Sequence, residues 1–149
     1  MTTALWIVGG VLGLFLLLGL VQLAVVRWAR RRAERIVASD YAGCALHRID
    51  PLANQFGRRS RGLLQVRGNG LLLLLDDRIA FHPLARGENW EIPLERILGL
   101  SDPRVFLGKT YLRPLLAIRF RDDEGEEDEA AWAVRDPEGW RRDIEARRV

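Results

Sequence analysis

Few side chains in this sequence have the chemistry needed for catalysis or metal binding. The two histidines, His47 and His82, belong to no HxxxH or HExxH pattern, the spacing that places zinc ligands on one helix face. Cys44 is the single cysteine, so neither a CxxC pair nor an internal disulfide can form. The sequence therefore predicts no catalytic residue, no metal site and no cofactor. An enzyme whose site the fold assembles from Cys44, His47 or His82 is kept as an alternative.

Seven carboxylates crowd into the eight residues from Asp122 to Glu129, around Gly125. The run lacks the alternating DxDxDG spacing of a calcium-binding loop. Repulsion between like charges at such a tip also discourages pairing with another strand. We predict a solvated hairpin tip, with docking of a basic partner as the alternative.

The N-terminal stretch from Ala4 to Val26 is apolar except for Gln22 and is 23 residues long. A helix rises 1.5 Å per residue, so about 20 apolar residues cross the ~30 Å hydrocarbon core of a bilayer. A cleaved signal peptide would need a basic start, a shorter apolar core and a small-residue cleavage site, and none of these is present. The pattern predicts a transmembrane helix over residues 4–28, retained as a signal-anchor.

A collar of arginines follows the apolar stretch and predicts its orientation. Basic residues flanking a membrane span stay in the cytoplasm, which predicts a single-pass protein of the inner (plasma) membrane with its N-terminus outside and its C-terminal domain cytoplasmic. The net charge of the chain is +3, and the collar accounts for it, so nucleic acid is not an expected partner. The predicted residues of the membrane interface, in contact with membrane lipids, are Arg27, Trp28, Arg30, Arg31, Arg32 and Arg35.

After the collar, residues 29–61 are predicted to be a juxtamembrane helix ending near Ala38, then a linker with a short strand around Cys44 to Ile49. Residues 62–149 then show short apolar runs separated by turn signals, which indicate a mainly β domain. Asn69-Gly70 is a tight-turn pair, and Asp136-Pro137 marks the start of a C-terminal helix. The predicted strands include 63–66, 71–75, 78–82, 90–92, 97–100, 112–120 and 130–134.

The pattern of this domain resembles the pleckstrin-homology-like and GRAM-like domains of bacterial membrane proteins. The residues that carry the resemblance are one strand motif of the form I-P-L-x-x-I, a second of the form L-x-I-x-F, and a tryptophan on the capping helix: Ile92, Pro93, Leu94 and Ile97; Leu116, Ile118 and Phe120; and Trp140. The resemblance implies an antiparallel β half-barrel closed by the C-terminal helix. It also implies a non-enzymatic adaptor or a binder of lipid headgroups.

The resemblance further points to basic residues near the first hairpin as a binding group. Arginine suits this role, because its planar fork of donors matches phosphate and carboxylate oxygens. Only Arg67 lies inside the predicted hairpin, and the lysine-rich spacing of the phosphoinositide-binding members is missing. The candidate residues for headgroup or partner binding are Arg58, Arg59, Arg61 and Arg67.

Together these features predict a non-enzymatic single-pass membrane protein whose cytoplasmic domain mediates protein or lipid-headgroup interaction at the inner membrane. The alternative is a small structural subunit of a membrane complex that is recognised through its transmembrane helix. Gly9 and Gly13 have the GxxxG spacing that permits close helix packing, although glycine is common in such helices. The sequence leaves the oligomeric state open.

Overall fold

A computed structural model describes residues 2–85 and 87–148 of the chain. The chain divides into two compact units, residues 1–40 and residues 41–149. Val149, the last residue of the predicted β domain, lies outside the described residues. The elements are α1 (Thr2–Asp40), β1 (Leu46–Arg58), β2 (Gly68–Leu75), β3 (Arg78–Pro83), β4 (Trp90–Pro93), β5 (Ile97–Ser101), β6 (Val105–Phe106), β7 (Lys109–Thr110), β8 (Leu116–Arg121), β9 (Glu127–Ala133) and α2 (Pro137–Glu145).

The first unit is a single helix, α1, of 39 residues. It is the one helix in the described part of the chain that is long and apolar enough to cross a membrane. The side chains from Trp6 to Val25 are all exposed. An apolar helix with no protein partner along this length is the kind that lipid accommodates, because its backbone hydrogen bonds are all internal. The helix passes through the arginine collar without a break and ends two residues beyond the predicted position.

The second unit confirms the predicted fold class: an antiparallel sheet of seven strands follows the apolar helix, and a short C-terminal helix follows the sheet. The strand order is β4-β3-β2-β1-β9-β8-β5. Strands β1 to β4 form one meander and β5, β8 and β9 form a second, and the pairing of β1 with β9 joins them. The short hairpin β6–β7 is inserted between β5 and β8 and forms its own two-stranded sheet.

The structure differs from the sequence prediction in the segment between Leu46 and Arg58. This segment, predicted to be mostly linker, forms the 13-residue strand β1 at the centre of the sheet. Pro51 and Gly57 indicated breaks in the sequence, but they occur at irregularities in the pairing of β1, where the strand bends without ending. The β unit therefore begins well before residue 62.

The predicted strand from Leu63 to Val66 is wrong, because this segment is an irregular loop between β1 and β2. Its apolar side chains suggested a strand, yet Leu63, Leu64 and Val66 are exposed and none of these residues pairs with a strand. The apolar side chains of this segment are therefore not part of a hydrophobic core. They form part of the surface of the β unit.

The inner face of the sheet encloses the main core of the β unit. Its members include all residues of the two strand motifs except Pro93, together with Trp140 and Ile144 of α2. The five leucines of β2 are each at most 1% exposed, so both faces of this strand are buried. A second cluster lies on the other face of the sheet beneath the β6–β7 hairpin and comprises Phe56, Phe106, Leu115, Ala117, Ala131 and Ala133.

Aromatic contacts across the interior curl the sheet into a half-barrel. Trp90 on the edge strand β4 stacks on Trp132 of β9 with ring centroids 5.4 Å apart, and on Phe120 of β8 at 6.2 Å. These contacts join strands that are far apart in the order of the sheet. Stacked and edge-to-face aromatic pairs contribute about 1 kcal/mol each beyond the area they bury, so this cluster holds the two meanders together.

The C-terminal helix starts where the sequence predicts. Asp136 is the N-cap, its Oδ1 accepting a hydrogen bond from the backbone N–H of Gly139 at 3.0 Å, and Pro137 occupies the first turn. This hydrogen bond from Gly139, together with one donated by Arg48, holds the pKa of Asp136 below its usual range. Arg48 also donates to Asp143 of α2, at 2.7 Å, so β1 and α2 are joined by ion pairs as well as by the core.

Candidate functional site

The four arginines of the candidate binding group are placed in different environments. Arg58 is the most buried: its Nε and Nη2 each lie 2.7 Å from Oδ2 of Asp128, whose side chain is fully buried. Its guanidinium also lies over the rings of Trp90 and Phe120, 4.9 and 5.4 Å from their centroids. This arginine is a structural cation whose charge is balanced inside the β unit.

Asp128 accepts hydrogen bonds from four donors near the turn of the β8–β9 hairpin. Besides Arg58 it accepts hydrogen bonds from the backbone N–H and the hydroxyl of Ser60, at 2.9 and 2.7 Å, and from the backbone N–H of Glu129 at 2.8 Å. Burial alone raises the pKa of this carboxyl, but the hydrogen bonds from Ser60, Glu129 and Arg58 outweigh it and hold the pKa below its usual range. Asp128 therefore stays ionised and ties the β1–β2 loop to β9.

Arg59 extends the same contact toward solvent. It donates through Nε to Oε2 of Glu129 at 2.9 Å, and its guanidinium lies 5.6 Å from the ring centroid of Phe106. Two of the four candidate arginines are thus paired with carboxylates of the acidic run. Sequence reasoning treated the arginines and the acidic run as separate features, since 70 residues separate them and no local pattern connects them.

Arg61 and Arg67 lie on the surface of the loop between β1 and β2. Arg67 rests on Phe56, 4.0 Å from the ring centroid, and donates to the backbone carbonyl of Thr110 at 3.1 Å. Arg61 is exposed and lines a cavity of 220 Å³ with Gln65 and Trp90 among its walls. Arg61 is the member of the candidate group to which the described residues offer neither an ion pair nor a hydrogen bond.

The acidic run forms the turn of the β8–β9 hairpin, as predicted, but it also forms the start of β9, where Asp128 is buried and not solvated. Asp122 Oδ1 accepts hydrogen bonds from the backbone N–H groups of Glu124 and Glu126, at 3.0 and 2.9 Å, which shapes the turn around Gly125. Asp123 forms an ion pair with Arg96. A cavity of 380 Å³ beside the hairpin has walls of mixed charge that include Arg58, Arg96, Arg121, Glu91 and Asp122. Within the described residues, no group of three or more potential metal ligands is present.

The histidines and the cysteine do not converge on a reactive centre. His47 Nδ1 lies 2.7 Å from Nη2 of Arg147, which can only donate, so Nδ1 accepts and the ring proton is on Nε2. That nitrogen faces Asp76. His82 is buried, with Nε2 2.7 Å from the hydroxyl of Tyr41, while Cys44 is exposed.

The predicted residues of the membrane interface all lie on α1. Arg27, Trp28, Arg30, Arg31 and Arg35 are exposed, and the guanidinium of Arg32 lies 6.0 Å from the ring centroid of Trp28. Arg35 also donates to the backbone carbonyl of Arg31. Their assignment to the lipid headgroups stays a prediction.

No family model and no curated protein match this sequence. Among solved structures, the C-terminal domain of an unknown protein from Leishmania infantum is similar, with a TM-score of 0.52 and 9% sequence identity over 82% of this chain and 96% of that domain. At this identity the likeness shows the fold alone. The chain is therefore a long apolar helix joined to a β-sheet fold that also occurs in a protein of unknown function.

Proposed function

We propose that this chain is a non-enzymatic, single-pass membrane protein whose β unit is a pleckstrin-homology-like interaction module held at the inner membrane. The observation that carries the proposal is α1, an apolar helix whose side chains are exposed from Trp6 to Val25 and which is followed by five arginines within nine residues. A lipid bilayer is the solvent that suits such a surface.

The assignment to a pleckstrin-homology-like fold rests on the architecture and on the buried motif residues. Two meanders joined through β1 and β9, closed by a C-terminal helix, form the half-barrel that the sequence resemblance implied. The motif residues Ile92, Ile97 and Ile118 lie in one core with Trp140 of the closing helix. The architecture and the buried motif residues together are the support for this assignment.

The assignment as a non-enzyme is supported by how the reactive side chains are used. The ring nitrogens of His47 contact Arg147 and Asp76, which leaves neither nitrogen to activate a nucleophile. The polar atoms of Asp128 and Arg58 are likewise engaged with each other. An interaction role therefore fits the charged residues better than general acid–base chemistry does.

The interaction is expected at the loops beside the paired arginines. Arg58 and Arg59 are neutralised by Asp128 and Glu129, so a deep anionic headgroup pocket built on all four arginines is not favoured. Arg61 and Arg67 present their charge at the surface and are the members of the group expected to meet a lipid surface or a protein partner.

Membrane insertion and orientation can be tested with the single, exposed cysteine at position 44. The intact chain should stay in the membrane pellet after carbonate extraction. A membrane-impermeant maleimide should label Cys44 in inside-out vesicles and not in right-side-out vesicles, while a Cys44→Ser chain carrying Thr3→Cys should show the reverse. Release of the chain by carbonate would refute the anchor, and the opposite labelling pattern would refute the orientation.

The second candidate, a structural subunit recognised through its membrane helix, draws on the glycines of α1. A β-carbon at Gly9 or Gly13 would meet no atom of the chain within 4 Å, so this side of the helix is open to a close neighbour. Replacing residues 4–26 with an unrelated membrane span should abolish co-purification of partners if this candidate is correct. Retention of the same partners would favour the β unit as the site of interaction.

A further inference from the structure

His47 joins three separate parts of the β unit through its two ring nitrogens. It lies near the start of β1, with Asp76 in the turn between β2 and β3 on one side and Arg147, just after α2, on the other. Its Nδ1 accepts a hydrogen bond from Nη2 of Arg147 at 2.7 Å, and its Nε2 donates to the carboxylate of Asp76. In the described part of the chain, these two are the charged groups within hydrogen-bonding distance of the ring.

A β-bulge directs the imidazole toward these two partners. Leu46 pairs with Leu75 and Arg48 pairs with Leu74, so His47 is the extra residue between two consecutive pairs of β1 and β2. An extra residue in one strand interrupts the regular alternation of side chains and re-aims the side chain that it carries. The side chain of His47 is 26% exposed, so it packs against its partners and is still within reach of protons from solvent.

The hydrogen bond from Arg147 requires the neutral form of the imidazole. A guanidinium has donors only, so Nδ1 of His47 must offer its lone pair, and protonation of the ring removes this lone pair. The protonated ring presents an N–H and a positive charge to the guanidinium of Arg147, which repels it. The contact with Asp76 responds in the opposite way, because a charged donor binds a carboxylate more strongly. Protonation therefore keeps the ring beside the β2–β3 turn and expels Arg147.

Arg147 belongs to the segment that ends α2. Its Nη1 donates to the backbone carbonyl of Asp143 at 2.8 Å, so the guanidinium bridges the last turn of the helix and β1. The backbone N–H groups of residues 146–148 donate to carbonyls of this turn, each at 3.0 Å. In the described residues, the contact with His47 is the hydrogen bond that attaches residues 146–148 to the sheet. Loss of this contact therefore leaves the last turn of α2 without a polar link to β1.

The rest of α2 is attached by contacts that do not respond to the same protonation. Arg48 forms ion pairs with Asp136 and Asp143, and Ile144 lies in the main core. The hydrogen bonds donated by Gly139 and Arg48 hold the pKa of Asp136 below its usual range, so this carboxylate stays ionised where an imidazole titrates. The response to pH is therefore confined to the residues that follow the helix.

We propose that His47 is an acid-sensitive latch, which holds residues 146–148 on the sheet when its ring is neutral and releases them when its ring is protonated. Imidazole is the side chain that ordinarily changes charge between pH 5 and 8, so a moderate change of pH can operate the latch. Release frees the guanidinium of Arg147 from the sheet, and the β unit then presents one more cation to an anionic partner. This inference adds regulation to the β unit and does not depend on membrane insertion.

Hydrogen–deuterium exchange of the full, detergent-solubilised chain at pH 7.5 and pH 5.5 tests the latch, with rates corrected for the intrinsic effect of pH on amide exchange. In the wild type, protection of the amides of residues 146–148 should fall by about fivefold at the lower pH, the size of one charged contact near a surface. His47→Gln keeps an acceptor oxygen and cannot be protonated, so its protection should be equal at both pH values. His47→Lys carries a fixed positive charge and should leave these amides poorly protected at both.

The matched control is Arg148→Met, which removes an ion pair with Glu145 inside the last turn and should keep the response to pH. Equal protection of the wild type at both pH values would overturn the proposal. A response that persists in His47→Gln would assign it to another group, such as the second histidine, His82, and would overturn the proposal as well. A simultaneous loss of protection in β8 would show that the whole sheet opens, which contradicts a local latch.

Discussion

At the scale of single residues, the centre of the β unit is the pair formed by Arg58 and Asp128. The pair joins the end of β1 to the start of β9 and carries two loops with it, because Ser60 and Glu129 donate to the same carboxylate. The guanidinium over Trp90 and Phe120 joins this polar contact to the aromatic cluster. In the sequence alone, nothing distinguishes Arg58 from the rest of the 23 lysines and arginines.

Asp128→Asn should destabilise the β unit by about 3 kcal/mol at pH 7, since breaking a buried ion pair leaves the remaining charge uncompensated. The pKa of Asp128 is lowered in the folded state, so its contribution to stability is complete above the unfolded value of 3.8 and is lost as the pH falls through the lower folded value. Urea unfolding of the detergent-solubilised chain should therefore show a difference between wild type and variant that is largest near neutrality and narrows below about pH 4. A difference that does not change with pH would contradict this prediction.

Gly70 is required by close packing. A β-carbon at this position would lie 2.4 Å from Cζ of Phe81 and 2.7 Å from the backbone oxygen of His82, and the backbone cannot move aside easily. Gly70→Ala should cost about 2 kcal/mol or more in unfolding free energy. The matched control is Gly99→Ala on the edge strand β5, where the nearest atom, on Arg119, is at an ordinary 3.6 Å. Equal stability of the two variants would contradict the packing argument.

Residue types predicted the core better than they predicted the binding surface. The burial of Leu116, Ile118 and Phe120 could be predicted without knowing which strands pair with β8, because alternate residues of a strand lie on the same face. The fate of Arg58 depends on a carboxylate 70 residues away, which only the fold brings near. Local patterns therefore identify what is buried, whereas long-range pairing decides which charges remain free.

At the scale of elements, the local signals differed in what they predicted correctly. The C-terminal helix begins at its acidic cap and proline as expected, whereas Asn69-Gly70, predicted to be a tight turn, lies inside β2. Only the start of β1 was recognised, because its proline and glycine occur at bends that the tertiary pairing tolerates. The loop from Leu63 to Val66 has the composition of a strand and is not one. The errors over β1 and over residues 63–66 are adjacent in the sequence. Together they placed the predicted start of the β domain too late in the chain.

The N-cap of α2 offers a test at this scale. Asp136→Ala should lower the melting temperature by several degrees, since the Gly139 N–H loses its acceptor and Arg48 loses one ion pair. Asp136→Asn keeps the cap oxygen and should restore most of the loss. Thermal unfolding followed by tryptophan fluorescence is a suitable measurement, because Trp140 is buried in this helix. Equal stability of the alanine and asparagine variants would show that the capping hydrogen bond is not how Asp136 stabilises the protein.

The β6–β7 hairpin is joined to the loop between β1 and β2, and Lys109 provides the link. Lys109→Met keeps the length of the side chain but removes both hydrogen bonds to the carbonyls of Phe56 and Gln65. Hydrogen–deuterium exchange should then increase across residues 61–67 and stay unchanged in β8, which pairs on both sides within the sheet. Arg104→Met is the control, because Arg104 is exposed and its side chain forms no hydrogen bond in the described residues. Unchanged exchange in the loop would contradict the role given to Lys109.

At the scale of the whole molecule, the apolar helix and the β unit perform separate tasks. The helix α1 is proposed to hold the chain in the membrane, and the β unit is proposed to present the interacting surfaces. The long apolar helix was predictable because a long uncharged run is a signal that needs no tertiary context. The contact between residues 61–67 and 109–113 was not, because these segments are more than 40 residues apart and only the fold joins them.

Neutralising the collar should disturb the orientation of the chain. Replacing Arg27, Arg30, Arg31, Arg32 and Arg35 with glutamine removes the positive charge that flanks the membrane span, so a mixed orientation is expected. Maleimide labelling of Cys44 in vesicles of known sidedness measures the two populations. Glutamine at Arg104, Arg113 and Arg142, which follow the span by more than 70 residues along the chain, should leave the orientation unchanged. A collar variant with a uniform, wild-type orientation would contradict the prediction.

The position of β1 has a consequence for how the β unit acquires its structure. Residues Leu46–Gln55 of this strand pair with β2, its neighbour along the chain, and residues Asn54–Arg58 pair with β9, which begins about 70 residues after β1 ends. Closing so large a loop is slow, and until it closes the end of β1 has an unpaired edge beside a run of leucines. We therefore expect the first meander alone to be prone to aggregation until β9 pairs with it.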